Sequence, residues 1–397
     1  MLLSKRIQSI KPSPTLAMNA KAVSMKQAGV DVISFGVGEP DFDTPEHILE
    51  AAKRAMDEGM TRYTAVGGTA ELKTAITKKF YEDNNLIYRP EEVMVSCGGK
   101  HVLYNLAQAI LDPDDEVIIP APYWVSYPPI AVLAGAKPII VQTSPRNNFK
   151  LSPETLRDAV TEQTKLLVLN SPSNPTGAVY SKSELEALAE VVLEHDLFVV
   201  SDEIYEKLIF DNTPFCSIAE LGDEIKARTL IVNGVSKTYA MTGWRIGYGA
   251  GDSAVVSAMT KIQSQSTSNP NSIAQAATVA ALTGPQDSVY QMRRTFNERR
   301  IYLVNRLNGI PGVRCNTPDG AFYAFADFSD YFTKKIGDQP MGGSANVCEY
   351  LLTEARVALV PGIAFGADDF IRFSFATSLE LIEKGLERIE KALEKLA

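Results

Sequence analysis

"KLLVLNSPSNPTGAVYSKSELEALAEVVLEHDLFVVSDEIYEKL", residues 165–208, carries the pattern on which the fold turns. An apolar run to Leu169 ends in a cluster of turn formers. A helical segment follows from Ser181. A second apolar run, Leu197–Val200, then ends in Ser201, Asp202 and Glu203. Runs this short, apolar on both faces and joined by a helix describe neighbouring parallel strands in a sheet covered on both sides. The same alternation extends from Pro45 to about Ala281. Upstream come "TPEHILEAAKRAMDEG", "VMVSCG" with a helix from about Gly99, "EVIIP" with a helix after Tyr123, and "KPIIVQT"; downstream come "TLIVNG" and "WRIGYGAG". In the first of these the spacing predicts Thr44 as N-cap, Pro45 at the first helical position and Gly59 as C-cap. The expected class is α/β with a mostly parallel central sheet, and ligands of such sheets bind in the loops beyond the strand ends.

The last hundred residues change character. A long polar helix around 285–307 leads to "VRCN", "AFYAFADF", "VALVPG" and "FIRFSFA", ending in "LELIEKGLERIEKALEKLA". That is an α+β pattern. With 397 residues, two domains are expected. The predicted division is a large unit over 45–290, and a small one formed by 1–44 together with 291–397.

Composition excludes several classes. The chain is 45% hydrophobic and 22% charged, with a net charge of −9 and no run of five or more basic residues, which disfavours nucleic acid. The first residues lack a secretory apolar core, and no apolar run reaches the ~18 residues a membrane span requires. Cys97, Cys216, Cys315 and Cys348 are far apart and read as reduced thiols of a cytoplasmic protein. His47, His101 and His195 are too dispersed to suggest a zinc site or a serine-hydrolase triad.

Four polar features follow apolar strands. "SCGGK" (96–100) opens a helix and offers backbone N–H groups to an anion. "NSPSNPTG" (170–177) carries Asn174. "VVSDEIYEKL" ends a strand with Asp202 and supplies Tyr205. "VSKTYAMTGWRIGY" contributes Lys237 and Arg245. Each alone has a plain structural reading as a turn or a cap. Together they make the set that pyridoxal 5′-phosphate requires: a lysine for its aldehyde, a carboxylate for its pyridine nitrogen, donors for its phenolic oxygen, and an arginine with backbone amides for its phosphate. A lysine in apolar surroundings beside an arginine also favours the neutral, nucleophilic amine.

The chain resembles, over nearly its whole length, the fold type I class I aminotransferases, and more closely the prokaryotic branch of aspartate aminotransferases. "GEPDFDTP", "PYWVSY", "NSPSNPTGAVY", "SDEIYE" and "SKTYAMTGWRIGY" carry the resemblance in this order. It implies that Lys237 is the Schiff-base lysine and proton shuttle, that Asp202 pairs with the pyridine N–H, and that Tyr205 and Asn174 hold the phenolic oxygen. Gly99, Lys100 and Arg245 would bind phosphate, with Tyr63 reaching the neighbouring subunit of a homodimer. Trp124 would stack on the ring. Arg372, in "FIRFSFATS", would clamp the substrate's α-carboxylate, aided by Gly38. Two departures from the family pattern stand out. Gly234 occupies the usual place of a phosphate-binding serine, which leaves Ser236 or another hydroxyl to substitute. Residues 264–272, "SQSTSNPNS", hold no cation for a distal carboxylate. In the prokaryotic branch a lysine at the position of Lys100 does that job, helped by "KPSPT", here Lys11, Ser13 and Thr15. The resemblance implies transfer between aspartate and 2-oxoglutarate, with prephenate as a further acceptor. An aromatic or neutral amino acid aminotransferase, or a lyase on the same scaffold, shares nearly every motif. A non-catalytic regulatory module would need a fused DNA-binding domain.

Overall fold

The computed structural model describes residues 2–10, 14–336 and 339–396. Strand β1 (Ile33–Ser34) follows the helix Pro14–Gln27. The main sheet contains β2 (Val93–Ser96), β3 (Glu116–Ala121), β4 (Lys137–Gln142), β5 (Thr164–Asn170), β6 (Phe198–Asp202), β7 (Thr229–Gly234) and β8 (Gly247–Ala250). Its order is β2-β8-β7-β6-β5-β3-β4.

The stretch 165–208 folds as its pattern predicts. β5 and β6 pair in parallel with Asn170 opposite Asp202. Between them lies the helix Lys182–Glu194. Ser181 Oγ accepts from the Glu184 amide while the Glu184 carboxylate accepts from the Ser181 amide at 2.8 Å, so two of the orphan N–H groups at the helix start are satisfied reciprocally. Side chains alternate across the sheet. Leu166 and Val168 join the core on one face with Val117, Val200 and Leu230. Leu167 and Leu169 join the core on the other face with Ile118 and Val199.

β8 is the exception to parallel pairing, running antiparallel to both β7 and β2. The cause is the connection: only Val235–Ile246 separates β7 from β8, with no helix long enough to return the chain to the starting edge. The reversal matters for function. β2, β3, β5, β6 and β7 run in the same direction and end at one edge of the sheet, while β8 begins there.

One local expectation shifts. The helix after Thr44 spans Glu46–Asp57, with Pro45 in the N-cap place and no side-chain cap. The Thr44 hydroxyl instead donates to the Ala240 carbonyl at 2.9 Å and accepts from Trp244 Nε1 at 3.1 Å. It ties the chain's early loop to the segment that carries Lys237.

The C-terminal region contains β9 (Arg314–Cys315), β10 (Tyr323–Asp327), β11 (Lys335–Ile336), β12 (Gln339–Pro340), β13 (Val357–Ala358), β14 (Val360–Pro361) and β15 (Phe370–Ser374). Four of these form a sheet in the order β14-β15-β10-β9, β11 and β12 pair with each other, and β13 pairs in parallel with β1. The helix Leu379–Leu393 packs Ile382, Leu386, Ile389 and Leu393 inward, one apolar face at helical spacing. Each such side chain contributes roughly 1.5–3 kcal/mol on burial.

Candidate active site

A cavity of about 430 Å³ lies at the edge where the parallel strands end, within the range of small-molecule sites. Gly38, Gly99, Lys100, Trp124, Asn174, Asp202, Tyr205, Ser236, Lys237, Arg245 and Arg372 all line it. Strand direction explains the convergence. Gly99 follows β2, Trp124 follows β3, Asn174 follows β5, Asp202 ends β6, Lys237 follows β7 and Arg245 precedes the reversed β8.

Lys237 Nζ donates to the Gly38 carbonyl at 2.7 Å. Burial pushes its amine down to about 8; Arg245 and Arg372 push the same way, against Glu39 and Asp202. Asp202 is buried, and the Tyr127 hydroxyl donates to its Oδ2 at 2.7 Å. Burial pushes its carboxyl up to about 6, a rise limited by Tyr127, the Ile204 amide and Lys237. No arginine or lysine is hydrogen-bonded to Asp202 among the described residues.

Arg372 is only 4% exposed. Its Nη1 donates to Asn174 Oδ1 and its Nη2 to the Gly36 carbonyl, both at 2.9 Å, while Nε has no partner. Its guanidinium lies 4.4 Å from the Tyr323 ring centre and 5.0 Å from that of Phe365. No carboxylate pairs with it among the described residues, so its charge is desolvated without a counter-charge, a cost that an anionic ligand relieves. Asn174 is itself fixed from behind, its backbone N–H donating to Asn170 Oδ1 at 2.8 Å.

Arg245 donates to the Thr242 carbonyl at 2.8 Å and the Cys97 carbonyl at 3.2 Å, which lays it against the glycine turn before Gly99. Gly98 sits at φ +91°, and a Cβ there would overlap the Arg245 guanidinium. Lys100 Nζ lies 4.9 Å from the Trp124 ring centre, and burial followed by Arg245 lowers its pKa. Neither cation has an acidic partner among the described residues. At Gly234 a side chain would press on Gly247 Cα and the Ile246 carbonyl at 3.0 Å, and the residue does not line the cavity, whereas Ser236 does.

Some expected residues lie elsewhere. Tyr63 is 91% exposed and outside this cavity. Lys11 and Ser13 lie outside the described residues, and of Thr15 only the backbone is described, in the helix Pro14–Gln27. Three contributors escaped the sequence reading: Asn170, Tyr127 and Tyr323, whose hydroxyl is 2.9 Å from that of Tyr205. Tyr127 stands three residues after Trp124 in "PYWVSY", and that spacing was its signal. Tyr323 sits in the apolar run "AFYAFADF" and looks like core.

These residues fit pyridoxal 5′-phosphate on their own chemistry. A buried carboxylate without a cation suits a protonated pyridine nitrogen. Two unpaired cations beside a helix start suit a phosphate, and a lysine with a lowered pKa suits an aldehyde. Among the described residues no cluster resembles a metal site, and no helix is long and apolar enough to cross a membrane.

Comparison with known proteins agrees. The chain is 51% identical to the aspartate aminotransferase of Bacillus subtilis, with each chain covered in full. It is 50% identical to the aspartate/prephenate aminotransferase of Nitrosomonas europaea, covering 99% of this chain and 100% of that one. The crystal structure of the aspartate aminotransferase from Rhizobium meliloti superposes with a TM-score of 0.97 at 45% identity over 100% of both chains, so the fold is the fold type I α/β architecture with its mostly parallel sheet. The family model for aminotransferase class I and II matches residues 30–389, and the chain belongs to that family.

Proposed function

We propose that this aminotransferase moves the amino group between L-aspartate and 2-oxoglutarate, takes prephenate as a further acceptor, and works as a cytoplasmic homodimer with pyridoxal 5′-phosphate. The observation that carries the reading is Arg372: a buried guanidinium with no carboxylate partner among the described residues, lining the cavity that holds Lys237. Lys100, like Arg245 a cation without an acidic partner among the described residues, lines the same cavity and favours a dicarboxylic substrate. The names of the relatives from Bacillus subtilis and Nitrosomonas europaea point the same way. The division into units 45–290 and 1–44 with 291–397 belongs to the proposal, and the pairing of Ile33 and Ser34 with Val357 and Ala358 supports it.

When bound, pyridoxal 5′-phosphate supplies an aldehyde that takes up amines and a protonated ring that accepts the electron pair freed at the substrate's α-carbon. Lys237 Nζ, neutral at a pH where an ordinary lysine is charged, accepts the α proton and returns it. Asp202 would hold the ring N–H, and Tyr127 holds Asp202. Tyr205 and Asn174 would hold the phenolic oxygen; Asn174 would use Nδ2, because its Oδ1 accepts from Arg372. Gly99, Lys100, Ser236 and Arg245 would hold the phosphate, joined by Tyr63 of the partner subunit. Trp124 would stack on the ring. Arg372 binds the α-carboxylate common to every amino acid, beside the backbone of Gly38. Lys100, with Lys11, Ser13 and Thr15 on the N-terminal arm, reads the distal carboxylate. The reaction is ping-pong: one amino acid leaves its amine and departs as a 2-oxo acid before a second oxo acid collects the amine.

The test is a matrix of donors (aspartate, glutamate, phenylalanine, alanine) and acceptors (2-oxoglutarate, oxaloacetate, prephenate), each half-reaction followed by the absorption of the bound cofactor. Fastest conversion by aspartate and glutamate supports the reading. Faster phenylalanine overturns the substrate, and no conversion by any donor overturns the activity.

A further inference from the structure

Tyr205 and Tyr323 are both buried, their hydroxyl oxygens are 2.9 Å apart, and their rings meet edge-on with centres 5.8 Å apart. Two phenols this close share one hydrogen bond, so one donates and the other accepts. Which does so determines where the remaining hydroxyl proton points.

Two features of the surroundings set the direction. The Arg372 guanidinium lies over the Tyr323 ring at 4.4 Å, and a cation on the ring face draws electron density from the phenol and makes it the better donor. Of the charged groups near Tyr205, Arg372 donates to Asn174 and Gly36, and Asp202 accepts from Tyr127. Tyr205 therefore has no other donor supplying its oxygen among the described residues.

We infer that Tyr323 is a positioning residue: its hydroxyl donates to the Tyr205 oxygen, which turns the only Tyr205 proton toward the cavity as a donor to the cofactor's phenolic oxygen. A phenol that accepts one hydrogen bond becomes a stronger donor in the next, so Tyr323 both aims and strengthens Tyr205. Because Arg372 stacks on the same ring, Tyr323 also links the residue proposed to bind the substrate carboxylate with the residue proposed to hold the phenolic oxygen. This inference rests on the cofactor reading proposed above.

The experiment is a spectroscopic pH titration of the holoenzyme in wild type, Tyr323→Phe, Tyr205→Phe and the double variant. Tyr323→Phe keeps the ring under Arg372 and removes only the hydroxyl. A weaker donor to the phenolic oxygen stabilises its anion less, so the absorption midpoint moves to higher pH in Tyr323→Phe, by roughly half a unit for the loss of a modest hydrogen-bond contribution. Tyr205→Phe moves it further, and the double variant equals Tyr205→Phe alone, because Tyr323 acts through Tyr205. An unmoved midpoint in Tyr323→Phe overturns the inference. So does an equal added shift in the Tyr205→Phe background, which would mean that Tyr323 acts on the site by another route. If the wild-type protein binds no pyridoxal 5′-phosphate at Lys237, the cofactor reading itself fails; if it binds but the midpoints do not move as stated, this inference alone fails.

Discussion

Replacing Arg372 with lysine tests how the site recognises amino acids. The guanidinium is held in one plane by two hydrogen bonds of 2.9 Å, to Asn174 and Gly36, and by the Tyr323 and Phe365 rings at 4.4 and 5.0 Å. Each Nη spends one N–H on those bonds and keeps a second to offer a carboxylate in that plane. Lysine keeps the charge but replaces the rigid fork with a single ammonium that cannot satisfy Asn174, Gly36 and a substrate together. The loss is about one charge-assisted hydrogen bond, about 1.5–3 kcal/mol. At about 1.4 kcal/mol per factor of ten, kcat/KM falls roughly ten- to a hundredfold. Since every amino acid carries the α-carboxylate, the factor should agree for aspartate, glutamate and alanine. Steady-state kinetics with the three donors measures it. A loss confined to aspartate and glutamate would mean that Arg372 reads the side chain and that the two carboxylate sites are exchanged. No loss for any of the three would remove Arg372 from substrate binding.

Lys237 is expected to be the one lysine that carries the cofactor after borohydride reduction and peptide mapping; a label on any other lysine refutes it. Because its amine is lowered from 10.5 to about 8, the charged form dominates below that value. Cofactor capture by the apoenzyme should therefore quicken about tenfold per pH unit up to about pH 8 and then level; a rise that continues toward 10 would show an unperturbed lysine. Asp202→Ala should retain the cofactor and lose turnover by on the order of a hundred- to several-thousandfold, the kinetic equivalent of about 3–5 kcal/mol for stripping a buried charge partner, and near-normal turnover would make the carboxylate structural. Lys100→Ala should depress aspartate and glutamate evenly, on the order of tenfold relative to alanine. Lys11→Ala should weaken prephenate most; an equal loss on all substrates from both variants would mean that neither lysine reads the distal carboxylate.

Particular residues mark the boundary between what could be read early and what could not. Asn174, Asp202 and Lys237 were legible because each is a polar residue at or just beyond the end of an apolar run, and strand direction then brings such positions to one edge. The reversal of β8 was not legible, since "WRIGYGAG" reads as a buried strand in either direction. Only the short Val235–Ile246 connection sets its sense. Thr44 has the residue type and spacing of an N-cap, yet it bonds across 196 residues to Ala240. A local rule weighs only local partners, and here a distant carbonyl won.

By itself, then, the sequence determined the alternation of strand and helix, the sheet edge at which chemistry gathers and the residue types present there, because these follow from periodicity and turn chemistry within a few neighbours. The tertiary structure decided the partners. Tyr127 on Asp202, Tyr323 on Tyr205, and Arg372 against Asn174 join residues 75 to 198 positions apart. Tyrosines in apolar runs such as the one around Tyr323 carry no mark of polar work. Their hydroxyls gain a role only when packing removes water and leaves one another as the hydrogen-bond partners within reach.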